Sequence, residues 1–164
     1  MAVRLYRSSF HSTWIEIREG AQVLQEIEVL FPLKTMPAID FATAEEAILW
    51  LKTEERKKAK YQALRYLARQ ALASSILFSK LQDKGYSVEI CRAIVEDCRQ
   101  NGYLADEEFW PRIVERELEK GYGPRWIEWK WKAKGLPDGL VAQIATPRKQ
   151  REILRRAICK MKKK

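Results

Sequence analysis

The sequence predicts a mainly α-helical chain: tandem three-helix repeats behind a small N-terminal β extension. Three observations predict it. From Thr43 onward apolar residues recur every three or four positions, glycines close these stretches at short intervals, and the pattern restarts at an offset of fifty residues. The 164 residues are 46% hydrophobic and 32% charged, with seven glycines and six prolines, which excludes wholesale disorder and a collagen-like chain. The expected divisions are 1–38 for the β extension, 43–58 for a linker helix, 59–104 and 105–145 for two three-helix repeats, and 146–164 for a basic partial third repeat or tail.

The β extension comes first. Thr13–Arg18 and Val23–Phe31 are rich in β-branched and aromatic residues with partial alternation, and Glu19-Gly20-Ala21-Gln22 between them is turn-like. A two- or three-stranded element is expected, closed by Pro32 and Pro37. An isolated hairpin is marginal in water, so it must lean on other structure.

Helical patterning begins at Thr43, an N-cap candidate with Glu46 three residues on and Ala47–Leu51 as the apolar face. The charged run Thr53–Lys58 is expected to interrupt that helix or expose it. Ala63, Leu64, Leu67, Ala68 and Ala71 then form a stripe, followed by Leu77, Phe78 and Leu81 before a stop at Gly85. Ser87 caps a helix bearing Cys91, Ile94, Val95 and Cys98, ended by Asn101-Gly102. Asp106 is the expected cap of a helix bearing Phe109, Ile113, Val114 and Leu118, with Pro111 inside it as a sign of a later start or a kink. Gly123-Pro124 opens the next helix with Pro at its first position, and Pro137 opens one bearing Leu140, Val141 and Ile144. Lys80–Gly85 overlays Lys130–Gly135, and Ile90, Cys91 and Ile94 overlay Leu140, Val141 and Ile144. Thr146-Pro147 opens a last helix running to about Lys160, the start of a third unit that is not completed.

Charge is unevenly spread. The chain carries a net +9, of which Thr146–Lys164 holds +8 through nine bases and one acid. A smaller cluster, Lys120, Arg125, Lys130, Lys132 and Lys134, faces only Glu128, whereas Glu89–Glu119 holds nine acids and four bases. Basic clusters attract phosphate backbones or acidic protein surfaces. A solvated tail kept for solubility is the alternative. No apolar run approaches the ~18 residues of a membrane span. The N-terminal residues carry no apolar signal region, and three cysteines without one fit a reducing compartment. A cytoplasmic monomer without membrane contact is expected.

Catalytic chemistry is not legible. His11 is the only histidine, so no nucleophile pair can be assembled around a second one, and Gly121-Tyr122-Gly123-Pro124 is a turn rather than a phosphate loop. Cys91 and Cys98 lie seven residues apart on one helix, ~10.5 Å along its axis, too far for a disulfide. Without clustered histidines they read as core thiols. Asp106-Glu107-Glu108 suits the positive end of a helix better than a metal site. No catalytic residue, cofactor or metal is therefore expected.

The densest aromatic and basic segment is Arg125-Trp126-Ile127-Glu128-Trp129-Lys130-Trp131-Lys132-Ala133-Lys134. Ile127 and Trp131 share one face, taken as the buried one, and Trp126 and Trp129 another, with Arg125 and Lys132 nearby. Exposed rings beside cations suit single-stranded nucleic acid. Packing of one repeat on the next suits them equally. The candidate contact residues are Arg125, Trp126, Trp129, Lys130, Lys132 and Lys134, with Arg148, Lys149, Arg151, Arg155 and Arg156 in the tail.

Four ordered motifs resemble one known family. Gly102-Tyr103-Leu104-Ala105-Asp106-Glu107-Glu108-Phe109 is similar to its G-Y-[IL]-[DN]-D-x-x-[FY] stretch, and Lys120-Gly121-Tyr122-Gly123-Pro124-Arg125-Trp126-Ile127 to its K-G-x-G-P-x-x-I turn. Lys84-Gly85-Tyr86-Ser87 and Ala63-Leu64-Arg65-Tyr66-Leu67 fit in order and spacing. The chain thus resembles the RecX family of regulatory proteins over about Ala59–Ile144, and more weakly in the β extension. The resemblance implies tandem three-helix repeats, binding along the groove of the RecA–single-stranded DNA filament, and inhibition of strand exchange and of RecA's ATP hydrolysis. Three departures stand out. The family's R-x-x-S-x-x-E-L reads Gln70–Leu77 here, its E-L after G-P-x-x-I reads Lys130-Trp131, and the third repeat is only begun. Loss of the two acids is expected to make the binding face more basic or more apolar. Two other readings stay open: a helical DNA-binding module acting without RecA, and an adaptor whose tail binds an acidic protein.

Overall fold

The computed structural model describes residues 2–9, 12–33, 35–148, 151, 152 and 155. The chain is mainly helical with one small sheet. It divides into two compact units, Met1–Arg69 with Phe78–Cys98, and Gln70–Leu77 with Arg99–Lys164.

In the first unit β1 (Val3–Arg7), β2 (Trp14–Glu19) and β3 (Gln22–Glu28) form an antiparallel sheet in the order β1-β2-β3. Val3 pairs with Glu19 and Leu5 with Ile17, so the alternating apolar residues of β1 face the same core as Ile15 and Ile17. Gly20, at φ +60, takes the left-handed conformation that the two-residue turn between β2 and β3 needs. β3 is the exposed edge. Its Gln22, Gln25, Glu26 and Glu28 discourage further pairing. The strand ends at Glu28 rather than continuing to Phe31, whose ring instead stacks on Tyr86 at 6.3 Å. Backbone bonds between Val3 and Phe41, at 2.8 and 2.9 Å, tie β1 to the chain entering the first helix.

That helix, α1 (Ala44–Leu67), is 24 residues long and corrects one expectation. The run Thr53–Lys58 does not interrupt it. Ala47, Leu51, Glu55, Ala59 and Ala63 are buried at four-residue spacing, so one inward stripe passes through the charged run. Glu55 can sit in that stripe because its carboxylate accepts the Ser87 backbone N–H, just before α3. Lys57 and Glu54 pair at 2.9 Å on the outer face. The N-terminus follows the sequence: Thr43 Oγ1 accepts the Glu46 N–H at 3.2 Å, and the Glu46 carboxylate accepts the Ala42 N–H at 2.8 Å.

α2 (Ser74–Gln82) begins among residues of the second unit and ends in the first, where Gly85, at φ +83, closes the turn before α3 (Val88–Gln100). Cys91 and Cys98 are buried free thiols, and burial pushes Cys91 up to about 11, as expected of a core side chain rather than a ligand. His11 lies outside the described residues.

The second unit packs α4 (Asp106–Glu119), α5 (Pro124–Lys132) and α6 (Leu140–Ile144) around Trp110, Ile113, Val114, Leu118, Ile127, Leu136 and Val141. Asp106 is the first helical residue of α4 and not its cap, which is Ala105. Its carboxylate instead accepts the Ser74 N–H at 2.6 Å, placing an acid at the positive end of α2. α4 does not start later to avoid Pro111. It runs through that residue, forgoing the one N–H that would reach the Glu107 carbonyl. α6 opens at Leu140 rather than Pro137, after Gly139 in the left-handed region.

Candidate nucleic-acid interface

α5 is a short helix with three different sides. Pro124 occupies its first turn, where the missing N–H costs nothing, and Gly123 precedes it in extended conformation. Ile127 is fully buried, and Trp131, one turn on, is half-buried with its ring edge-on to Trp110 at 6.3 Å. Arg125, Trp129 and Lys132, spaced at one and two turns, are exposed, with Trp129 77% accessible. This is an uncovered indole between two cations. Asp138 pairs with Lys132 at 3.4 Å, but both are open to solvent, so the pair is weak.

The third side separates residues that the spacing groups together. Trp126 does not share Trp129's exposed face. It lies half-buried, stacked on Tyr122 at 3.8 Å between centroids and 13° between planes. Lys130 also turns inward: its ammonium lies 4.4 Å from the Trp126 ring centre and 3.0 Å from a Glu117 oxygen. The lysine that replaces the acid of the RecX pattern therefore does not make the outer face more basic. Its charge is matched inside the unit. Lys134 extends over the Trp131 ring at 4.8 Å, leaving its ammonium exposed.

Glu117 is the functional neighbour that sequence reasoning missed. It is 1% exposed, with Lys120 at 2.9 Å, Lys130 at 3.0 Å and Arg116 at 3.7 Å. Burial alone would raise its pKa, but the hydrogen bonds and charges of Lys120 and Lys130 outweigh it and hold the carboxyl below the usual glutamate range. The signal was an acid beside Leu118 in the apolar stripe of α4. Because the folded pKa is lowered, this group stabilises the fold above the usual carboxylate range, and that contribution is lost as pH falls through the folded value. Glu117→Gln is expected to cost about 1–3 kcal/mol at neutral pH, in the lower range for buried pairs because water reaches both lysine heads. It should also flatten the acid limb of the stability curve, measured by urea melts between pH 3 and 7.

In the tail, Arg148, Arg151 and Arg155 are exposed and helical at three- and four-residue spacing, beside Glu152. Lys149 and Arg156 lie outside the described residues. Among the described residues no cluster of three metal-ligating side chains is found, and no helix is long and apolar enough to cross a membrane.

No family model matches the chain. Among curated proteins it is similar to regulatory protein RecX of Caldanaerobacter subterraneus subsp. tengcongensis, 27% identical over 124 residues, covering 73% of this chain and 63% of that one. The RecX of Actinobacillus pleuropneumoniae serotype 5b is 29% identical over 87 residues, covering 51% and 58%. That of a Geobacillus species is 28% identical over 119 residues, covering 63% and 43%. The matches thus span roughly half of each relative's length. A crystal structure of regulatory protein RecX shares the fold with a TM-score of 0.57 at 16% identity, covering 93% of this chain and 78% of that one. The chain is thus similar in sequence to curated proteins named regulatory protein RecX, and it shares its fold with a RecX crystal structure.

Proposed function

We propose that the chain is a cytoplasmic, monomeric regulator that binds the RecA–single-stranded DNA filament and lowers RecA's strand exchange and ATP hydrolysis, without catalytic chemistry of its own. The observation that carries this reading is the exposed row Arg125, Trp129 and Lys132 on a helix whose other sides are packed. A bare indole flanked by cations can stack on a base and neutralise phosphates together. The arginine row at 148, 151 and 155 extends the same chemistry into the tail. In this reading residues 59–104 and 105–145 are successive three-helix repeats, 1–38 is an appended sheet, 43–58 a linker helix and 146–164 the basic start of a third repeat.

Substituting Arg125, Trp129 and Lys132 together by alanine is expected to weaken filament binding about tenfold or more at any salt, since a stacking contact and two ion contacts are lost. Truncation after Ala145 should instead flatten the salt dependence, whose slope falls by ~0.7 per lost single-strand phosphate contact. Filament binding by both variants at two salt concentrations checks this. Wild-type affinity in the triple variant refutes the face. Equal binding to DNA with and without RecA favours the stand-alone DNA-binding reading.

A further inference from the structure

The first unit carries a second cationic surface that the whole-chain charge conceals. From Arg56 to Gln82 the sequence places seven basic residues and no acid. Two of the seven are matched: Lys57 by Glu54 at 2.9 Å, and Lys60 by Asp97 at 2.8 Å. Others border an open groove of about 760 Å³ in which Gln62 and Arg65 of α1, and Arg69 just beyond its end, stand with Gln82, the last residue of α2, and Lys84 in the turn after it. Arg65, Arg69 and Lys84 are exposed and enter no ion pair among the described residues, and Asp83 is the one acid lining the groove. Aromatic rings accompany these cations. Tyr61 is 66% exposed with the Arg65 guanidinium 6.0 Å from its ring centre, and Lys80 lies 5.3 Å from the ring of Tyr66, which lines the groove.

We infer that this groove binds single-stranded nucleic acid: Arg65, Arg69 and Lys84 on the phosphates, Tyr61 as a stacking platform, and the Gln62 and Gln82 amides within the groove as hydrogen-bonding groups for base edges. A cationic track with open rings beside it is the chemistry of sequence-tolerant strand binding. An acidic protein would use the cations alone and leave Tyr61 and both amides without a role. The groove is built from other residues than the α5 face, and its binding needs no RecA.

The test is binding of a fluorescein-labelled twenty-nucleotide oligo(dT) by the full chain, without RecA. The variant Arg65→Ala, Arg69→Ala, Lys84→Ala is expected to bind about tenfold more weakly at moderate salt, with the log–log salt slope reduced by about two. Tyr61→Ala should weaken binding about tenfold with little change in slope. A charge-matched control, Lys52→Ala, Arg56→Ala, Arg92→Ala, removes three exposed bases away from the groove and should keep most of the affinity; thermal melts confirm that each variant folds. Wild-type affinity and slope in the groove variant overturn the inference. So does an equal loss in the control, which would reduce the effect to net charge. Selective loss of polyglutamate binding with oligonucleotide binding intact also overturns it, making the groove an acidic-protein site. The groove variants leave Arg125, Trp129 and Lys132 in place, so a failure here overturns the groove alone and leaves the filament reading to its own test.

Discussion

Gly85→Ala is expected to destabilise the first unit by about 3 kcal/mol or more, enough to consume much of a typical domain's stability. Two costs combine. The residue sits at φ +83, where a β-carbon is strained by roughly 1–2 kcal/mol. The added Cβ would also lie 2.6 Å from the Leu30 carbonyl carbon and closer still to its oxygen. Backbone cannot step aside as a side chain can, so either the turn or the Leu30 segment must move. That movement would disturb the groove, which Leu30, Lys84 and Gly85 all line. Gly102, also at positive φ but with open space around it, should lose only about 1 kcal/mol when changed to alanine. A thermal or urea melt of the two variants side by side checks the contrast.

Ile127→Ala should cost the second unit about 2–5 kcal/mol. The side chain is 0% exposed and belongs to the cluster of Trp110, Val114, Leu118 and Val141, which is too large and too ring-rich to collapse around a smaller residue. Ile127 also sets the rotation of α5. With it inward, Arg125, Trp129 and Lys132 face out, so loss of this anchor should weaken filament binding even at temperatures where the protein stays folded. Ile127→Val removes one methylene and should cost about 1 kcal/mol while keeping the face. Parallel urea melts and filament binding for the two variants test both statements.

Local signals were readable in the sequence, and long-range ones were not. Thr43 with Glu46, Pro124 at a first turn and the glycine stops at 85, 102, 121 and 135 state their roles within a few residues, because caps and left-handed turns are local chemistry. Glu55 defeated that approach. A glutamate among lysines reads as solvent-facing until Ser87, 32 residues on, presents its N–H. Lys130 defeated it likewise, since its partner Glu117 lies 13 residues back on another helix. Asp106 looked like its own helix's cap but satisfies α2, 32 residues earlier. The cations of the groove were hidden by summation. They were cancelled on paper by the acids of Glu89–Glu119, which lie elsewhere along the chain and leave Arg65, Arg69 and Lys84 unpaired among the described residues.

The central claim is that this chain regulates RecA by binding its filament, and DNA-dependent ATP hydrolysis by the RecA of the same organism tests it most directly. With filaments preformed on single-stranded DNA and their presence confirmed by microscopy, the chain at substoichiometric amounts should lower the hydrolysis rate. The Arg125, Trp129 and Lys132 alanine variant should need about tenfold more protein for the same effect. An unchanged hydrolysis rate at equimolar protein would contradict the account.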